Sequence, residues 1–121
     1  MRILGFSEKW DKLLQDKFTT FRFPRKDRDW QVGERVRIVY EPRRKGGGEL
    51  LGIAEIESKY AVMIIAIDHP PDPICPMGEI SEEDARVDGF ESKKLMQLWM
   101  WDKYKRRLYY EPMNKLTLWW I

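Results

Sequence analysis

The chain has 121 residues, of which 43% are hydrophobic and 35% charged. That is enough apolar material for one core and too little length for two, with a charged share above the ~25% of an ordinary globular chain. The longest apolar run, residues 61–67, is far short of the ~20 residues of a membrane span, residues 1–6 lack the features of a signal peptide, and the single Cys75 excludes an intrachain disulfide framework. The expectation is a single domain over 1–121, soluble and cytoplasmic, with no membrane association.

The net charge of +2 hides an uneven distribution. Residues 22–45 carry nine basic and four acidic groups, residues 46–91 two basic and eleven acidic, and residues 92–121 seven basic and two acidic. If the two basic segments meet in space they form a face suited to phosphate. Abundant charges of both signs with only three Gln and one Asn also resemble the composition of proteins from hot environments.

Residues 2–6 read as a first strand. Ser7 is placed to cap a helix over 8–16, with Trp10, Leu13 and Leu14 as its buried stripe. Residues 17–23 alternate as a strand, 24–33 form a charged connection, and 35–40 alternate basic and apolar as a half-buried strand. Residues 42–49, with Arg43, Arg44 and Lys45 before three glycines, read as a basic hairpin tip and not a P-loop, since no Lys-Ser/Thr follows. Residues 50–56 and 60–67 read as central strands. Four prolines in 69–78 forbid regular structure there. Ser81 caps a short acidic helix with Asp84 at the capping-box position, and Gly89 ends it. Ser92 opens a helix to about 105 with Leu95, Leu98, Trp99 and Asp102 along one face, and residues 116–121 close the chain as a strand. This order predicts an α+β fold on a curved, mostly antiparallel sheet or small barrel.

Common catalytic machinery is missing from the pattern. His69, Asp72 and Cys75 are spaced by threes, but the prolines between them make a metal site improbable, and neither a metal nor a cofactor is expected. Lys17, Thr20 and Arg22 stand at a junction entering a strand, where Thr20 and Arg22 share a face. A lysine partly desolvated there could serve as base to a threonine hydroxyl, or could simply be a solvated end. Among the aromatics, Trp119 and Trp120 are strand neighbours, so one of them faces outward. Trp101, Lys103, Tyr104, Lys105, Arg106 and Arg107 could form a base-stacking surface or the wet side of an amphipathic helix.

The ordered set Lys17-x-x-Thr20-x-Arg22, Val32-Gly33-Glu34-x-Val36, Leu51-Gly52 and Ile80-x-Glu82-Glu83-x-Ala85-x-x-Asp88-Gly89-Phe90 resembles the ASCH domain of the PUA-like superfamily across residues 15–121. The resemblance implies a PUA-like β-barrel with helices covering its openings, and a cleft for RNA, a nucleotide or a modified nucleoside. On this reading Lys17, Thr20, Arg22 and Asp88 line the cleft, and Arg25, Lys26, Arg43, Arg44 and Lys45 form a basic rim. One branch of the family hydrolyses N4-acetylcytidine with a Lys, a Thr and a Glu. Lys17, Thr20 and Asp88 hold those positions here, with Asp for Glu. An RNA- or nucleoside-binding protein is the leading expectation, an amidohydrolase using Lys17, Thr20 and Asp88 the first alternative, and a protein-interaction module the second.

Overall fold

The computed structural model describes residues 1–65 and 79–121. Period-two alternation and β-branched residues give five strands: β1 (Arg2–Phe6), β2 (Lys17–Arg22), β3 (Arg35–Tyr40), β4 (Glu49–Val62) and β5 (Met113–Trp120). They form one mixed sheet in the order β1-β3-β4-β5-β2. The β1–β3 pair is parallel, and the other three pairings are antiparallel. Three helices, α1 (Glu82–Val87), α2 (Lys93–Tyr104) and α3 (Arg107–Tyr110), lie between β4 and β5 in the chain, so the fold is α+β.

The two edge strands run antiparallel to each other and are joined by side chains. The Phe6 and Phe18 rings lie 6.3 Å apart, and the Arg22 guanidinium lies 4.7 Å from the Phe6 ring. No ladder of backbone hydrogen bonds joins β1 to β2 among the described residues, so the sheet curls without closing into the expected barrel. Two irregularities in β4 assist the curl. The register shifts at Leu51, opposite Ile38 and Val39, and again at Glu57, opposite Leu118 and Thr117. An extra residue on one strand bends it and increases its twist. The same bulges let one 14-residue strand run where two shorter ones were expected. Gly52 is required beside the first, because a Cβ there would sit 2.9 Å from the Trp120 ring.

One core cluster fills the curl, with Leu4, Phe6, Phe18, Val36, Ile38, Ala54, Ile56, Leu116 and Leu118 all buried. A second joins Phe21 and Met113 of the sheet to Ile80, Ala85, Met96, Met100 and Leu108 of the helical segment. Fully burying a side chain of this size contributes about 1.5–3 kcal/mol relative to leaving it exposed.

The helix caps follow the sequence. Ser81 Oγ accepts from Asp84 N at 3.0 Å while Asp84 Oδ2 accepts from Ser81 N at 3.1 Å, and Ser92 Oγ accepts from Leu95 N at 3.1 Å. The buried side of α2 differs from expectation: Met96 and Met100 are buried, while Leu95 and Leu98 are 47% and 55% exposed. Six apolar residues in the seven positions 95–101 give no single stripe, so packing and not periodicity chose the face. The segment expected as a helix over 8–16 is only a 3-10 turn, Asp11–Leu14, without a side-chain cap from Ser7. A 3-10 turn rotates about 120° per residue instead of 100°, which leaves Leu14 exposed and buries Lys12. The end of the expected strand at 60–67, and His69, Asp72, Cys75 and the proline-rich stretch, fall outside the described residues. Among the described residues no helix is long and apolar enough to cross a membrane.

Arg2 fixes the 23–34 connection to β1. Its Nε and Nη2 donate to the two Glu34 carboxylate oxygens at 2.7 and 2.6 Å, Nη2 also donates to the Asp29 carbonyl, and the guanidinium stacks 4.5 Å from the Trp30 ring. The Arg2 contact holds the Glu34 carboxyl below its ordinary value. A depressed carboxyl contributes stability above its unfolded pKa, about 4.3, and loses it as pH falls through the folded value. Thermal melting of the native chain should therefore decline with acidification below about pH 4.3. Glu34→Gln should be less stable at pH 7 by about 1.5–3 kcal/mol and show a flatter decline in that acid window.

Candidate functional site

The site lies where the seam between β1 and β2 meets the end of α1. Gly89, with φ +109, turns the chain out of α1, and Phe90 N closes the motif on the Ala85 carbonyl at 2.9 Å. Asp88, the last residue before that glycine, is thereby directed at edge strand β2. It is 4% exposed, and its Oδ1 accepts from Lys12 Nζ at 2.8 Å and from Thr19 Oγ1 at 3.0 Å. Lys12, from the 3-10 turn, is 6% exposed. One residue along β2, Thr20 Oγ1 accepts from Arg22 Nε at 3.1 Å. Phe6 lies between the two cations, 5.5 Å from Lys12 Nζ and 4.7 Å from the Arg22 guanidinium.

Phe6, Lys12, Thr20, Arg22 and Asp88 line a cavity of about 40 Å³. Its apolar wall is a mutually packed triad of Trp10, Phe90 and Trp99, with centroids 5.2–5.8 Å apart. Lys103 stands at the mouth, with Nζ 5.0 Å from the Trp99 ring and 5.5 Å from the Tyr104 ring. A groove of about 1000 Å³ adjoins it, lined by Ile3, Leu4, Trp30 and Pro42 and by Arg25, Arg43 and Arg44. Ser7, Arg22, Lys103 and Tyr104 line both spaces and form the neck between them.

Burial governs the electrostatics. It pulls the Lys12 ammonium below its ordinary value, with Asp88 opposing the shift. It pushes the Asp88 carboxyl up, with Lys12 and Thr19 opposing. Arg22 is also lowered, chiefly by desolvation, against the influence of Tyr104 and Asp88. The cavity is thus a place where charge is poorly hydrated and an added charge of the right sign interacts strongly.

Thr20, Arg22 and Asp88 converge as expected, although Asp88 is 66 residues beyond Arg22. Lys17 does not join them. It pairs with Glu57 at 3.1 Å and lies 5.0 Å from the ring of the exposed Trp119. The physical reason is position on the strand: Lys17 is on the side of β2 opposite Thr20, and although it shares the side of Thr19 it lies two residues, about 7 Å, nearer the start of the strand. Lys17 belongs to an outer row whose registered partners are Trp119, Glu55 and Arg35. Lys12 supplies the ammonium that Lys17 was expected to bring. Its one trace in the sequence is a lysine inside the apolar stretch 10–14, which a helical phase would have turned to solvent.

The threonines also divide differently from expectation. The hydroxyl next to the carboxylate is that of Thr19, while Thr20 faces a guanidinium, which accepts no proton. Of the rim, Arg25, Arg43 and Arg44 line the groove, whereas Lys26 and Lys45 are exposed away from both spaces. The set proposed over residues 101–107 divides, with Lys103 and Tyr104 lining both spaces and Trp101, Lys105, Arg106 and Arg107 lying outside them. Trp101 packs on Tyr109 at 5.2 Å and the Arg107 guanidinium lies 3.8 Å from the Phe23 ring. Among the described residues no group of three or more His, Cys, Asp and Glu could hold a metal ion.

A buried ion pair is costly to break and inexpensive to remove whole. Lys12→Met and Asp88→Asn should each destabilise the chain by about 3–5 kcal/mol. The double variant should cost clearly less than the sum, as read from urea unfolding. Lys17→Ala should change stability by no more than about 0.5 kcal/mol.

Comparison with known proteins finds no matching family model, no matching curated protein and no matching solved structure.

Proposed function

We propose that this chain binds RNA or a modified nucleoside in the seam between β1 and β2, in the manner the ASCH resemblance implies. The observation that carries the reading is the neck. There Arg22 connects a small, buried, polar cavity with aromatic walls to a wide groove bearing Arg25, Arg43 and Arg44. Ligand sites of about 300–1,000 Å³ with an apolar lining and a few convergent polar groups are typical of small-molecule recognition. Arginines along a groove are the usual means of following a phosphate backbone. The two basic segments of the sequence, 22–45 and 92–121, contribute to the same groove through these arginines and Lys103. Trp30, held between Arg2 at 4.5 Å and Arg25 at 5.5 Å, gives the groove an aromatic floor.

Hydrolysis of an N-acylated nucleoside is the weaker reading. It requires Lys12 in the role foreseen for Lys17, and Thr20 has the Arg22 guanidinium as its hydrogen-bond donor in place of a base.

Titration of a short single-stranded oligoribonucleotide at several salt concentrations tests the proposal. Each phosphate contact contributes about −0.7 to the slope of log K against log salt for single strands. Arg43→Ala with Arg44→Ala should weaken binding and flatten that slope by about one to one and a half. The pair Lys26→Ala with Lys45→Ala should change neither. Unaltered binding by the Arg43, Arg44 variant removes the groove from the interface. Release of acetate from N4-acetylcytidine that is lost in Thr20→Ala would replace binding with catalysis as the function.

A further inference from the structure

The geometry points to a phosphomonoester, a terminal phosphate and not an internal phosphodiester, as the group that enters the cavity at the Arg22 neck. This deepens the proposed reading and rests on it only for what fills the adjoining groove.

Charge is the first argument. The cavity is lined by three cations, Lys12, Arg22 and Lys103, against the single carboxylate of Asp88. Lys12 is committed to that carboxylate at 2.8 Å. Arg22 uses Nε on Thr20, and among the described residues no carboxylate lies within ion-pair distance of its guanidinium. Lys103 is likewise without an ion-pair partner among the described residues, lying over Trp99 and Tyr104. Two positive charges at one neck are thus left without a protein counter-charge. A phosphomonoester, whose second pKa is about 6, carries close to two negative charges at neutral pH. A phosphodiester carries one.

Donor geometry is the second. Arg22 presents a planar fork that matches phosphate oxygens bidentately. Because Thr20 Oγ1 already accepts from Arg22 Nε, its own hydrogen is free to donate, and the Ser7 hydroxyl borders the same neck. The side chains at the neck thus all offer a donor, and the one carboxylate of the cavity, Asp88, has its Oδ1 engaged by Lys12 and Thr19.

Size is the third. A water-sized sphere needs about 10–15 Å³ by this measure, so a cavity of about 40 Å³ takes about three such groups. That suits the terminal oxygens of a phosphoryl group and excludes a base or a ribose. The buried Lys12–Asp88 pair blocks the inner end, so a chain cannot thread through, and an internal phosphodiester must continue on both sides. The groove of about 1000 Å³ has room for the nucleotide that carries the phosphate.

The experiment compares one short oligoribonucleotide in three forms: 5′-phosphorylated, 3′-phosphorylated and with hydroxyls at both ends. Ribose 5-phosphate and inorganic phosphate are tested alongside by thermal shift. One phosphorylated end should bind at least about ten-fold tighter than the unphosphorylated form, the step from one to two counter-charges at a desolvated site. Arg22→Gln should erase that advantage. Lys103→Gln, at an exposed position that carries no folding risk, should cut it several-fold and serves as the test if Arg22→Gln does not fold. Equal binding of all three forms, or an advantage that survives Lys103→Gln undiminished, overturns the assignment while leaving RNA binding in place. No oligonucleotide binding, together with stabilisation by ribose 5-phosphate that Lys103→Gln diminishes, upholds the phosphate site and rejects the RNA reading. No response to any of these probes rejects both.

Discussion

The buried contact between Lys12 and Asp88 is the constraint around which the site is organised. Two ionisable groups, each about 5% exposed at the side chain, meet at 2.8 Å. Each is shifted by burial toward its neutral form and held back by the other. Such a pair adds little net stability over apolar residues of the same shape, but either half alone is strongly unfavourable. It therefore acts as a specificity device. The 3-10 turn, the end of α1 and the edge of β2 have to arrive together, because an arrangement that separates them leaves a bare charge in the interior. Thr19 joins the same carboxylate from β2 and ties the strand into the arrangement.

The open seam follows from the same economy of contacts. The two edges of the curled sheet are bridged by Phe6, Phe18 and Arg22 instead of a backbone ladder. Unpaired edges are a liability for a sheet. Here the space between them is narrowed to a small polar cavity at one end and widened to a groove at the other. The groove in turn depends on the 23–34 connection being held in place. Arg2 grips Glu34 from β1, and Asp29 receives Asn114 Nδ2 at 2.8 Å and Lys59 Nζ at 3.3 Å from β5 and β4. A segment with no regular structure is thus made a fixed wall by charge-assisted hydrogen bonds from three strands.

The charge pattern acquires its meaning in this frame. Many of the charges are paired across the surface, as with Lys9 and Glu49, Arg35 and Glu55, and Lys17 and Glu57. Pairs of this exposed kind contribute little individually. Along the groove Arg25 and Arg44 are likewise paired, with Asp27 at 3.2 Å and Glu41 at 3.6 Å, so among the described residues it is Arg22 and Lys103 at the neck and Arg43 in the groove that have no ion-pair partner.

Local rules determined much of the architecture. The short apolar run at 2–6, the Thr- and Phe-rich segment 17–22 and the basic–apolar alternation of 35–40 are local signals, and the caps at Ser81, Ser92 and Gly89 act within a few residues of chain, so these elements were legible without a fold. The alternation at 119–120 also placed one tryptophan outward. The convergence of Thr20, Arg22 and Asp88 was legible only through the ordered family-like motif. What the sequence could not decide is where competing local signals were of equal strength or where the answer lay in another segment. Residues 95–101 of α2 are apolar on several faces, so the choice of Met96 and Met100 over Leu95 and Leu98 belongs to the core that receives them. Residues 8–16 had a helical stripe, but burying Trp10 and Leu13 against the sheet favoured a short 3-10 turn, whose different phase brought Lys12 inward. Lys17 and Lys12 are both lysines beside an apolar stretch. Only the position of Asp88, 76 residues away from Lys12 in the chain, decides which of them is buried, because a buried ammonium requires a carboxylate that the tertiary structure alone can bring.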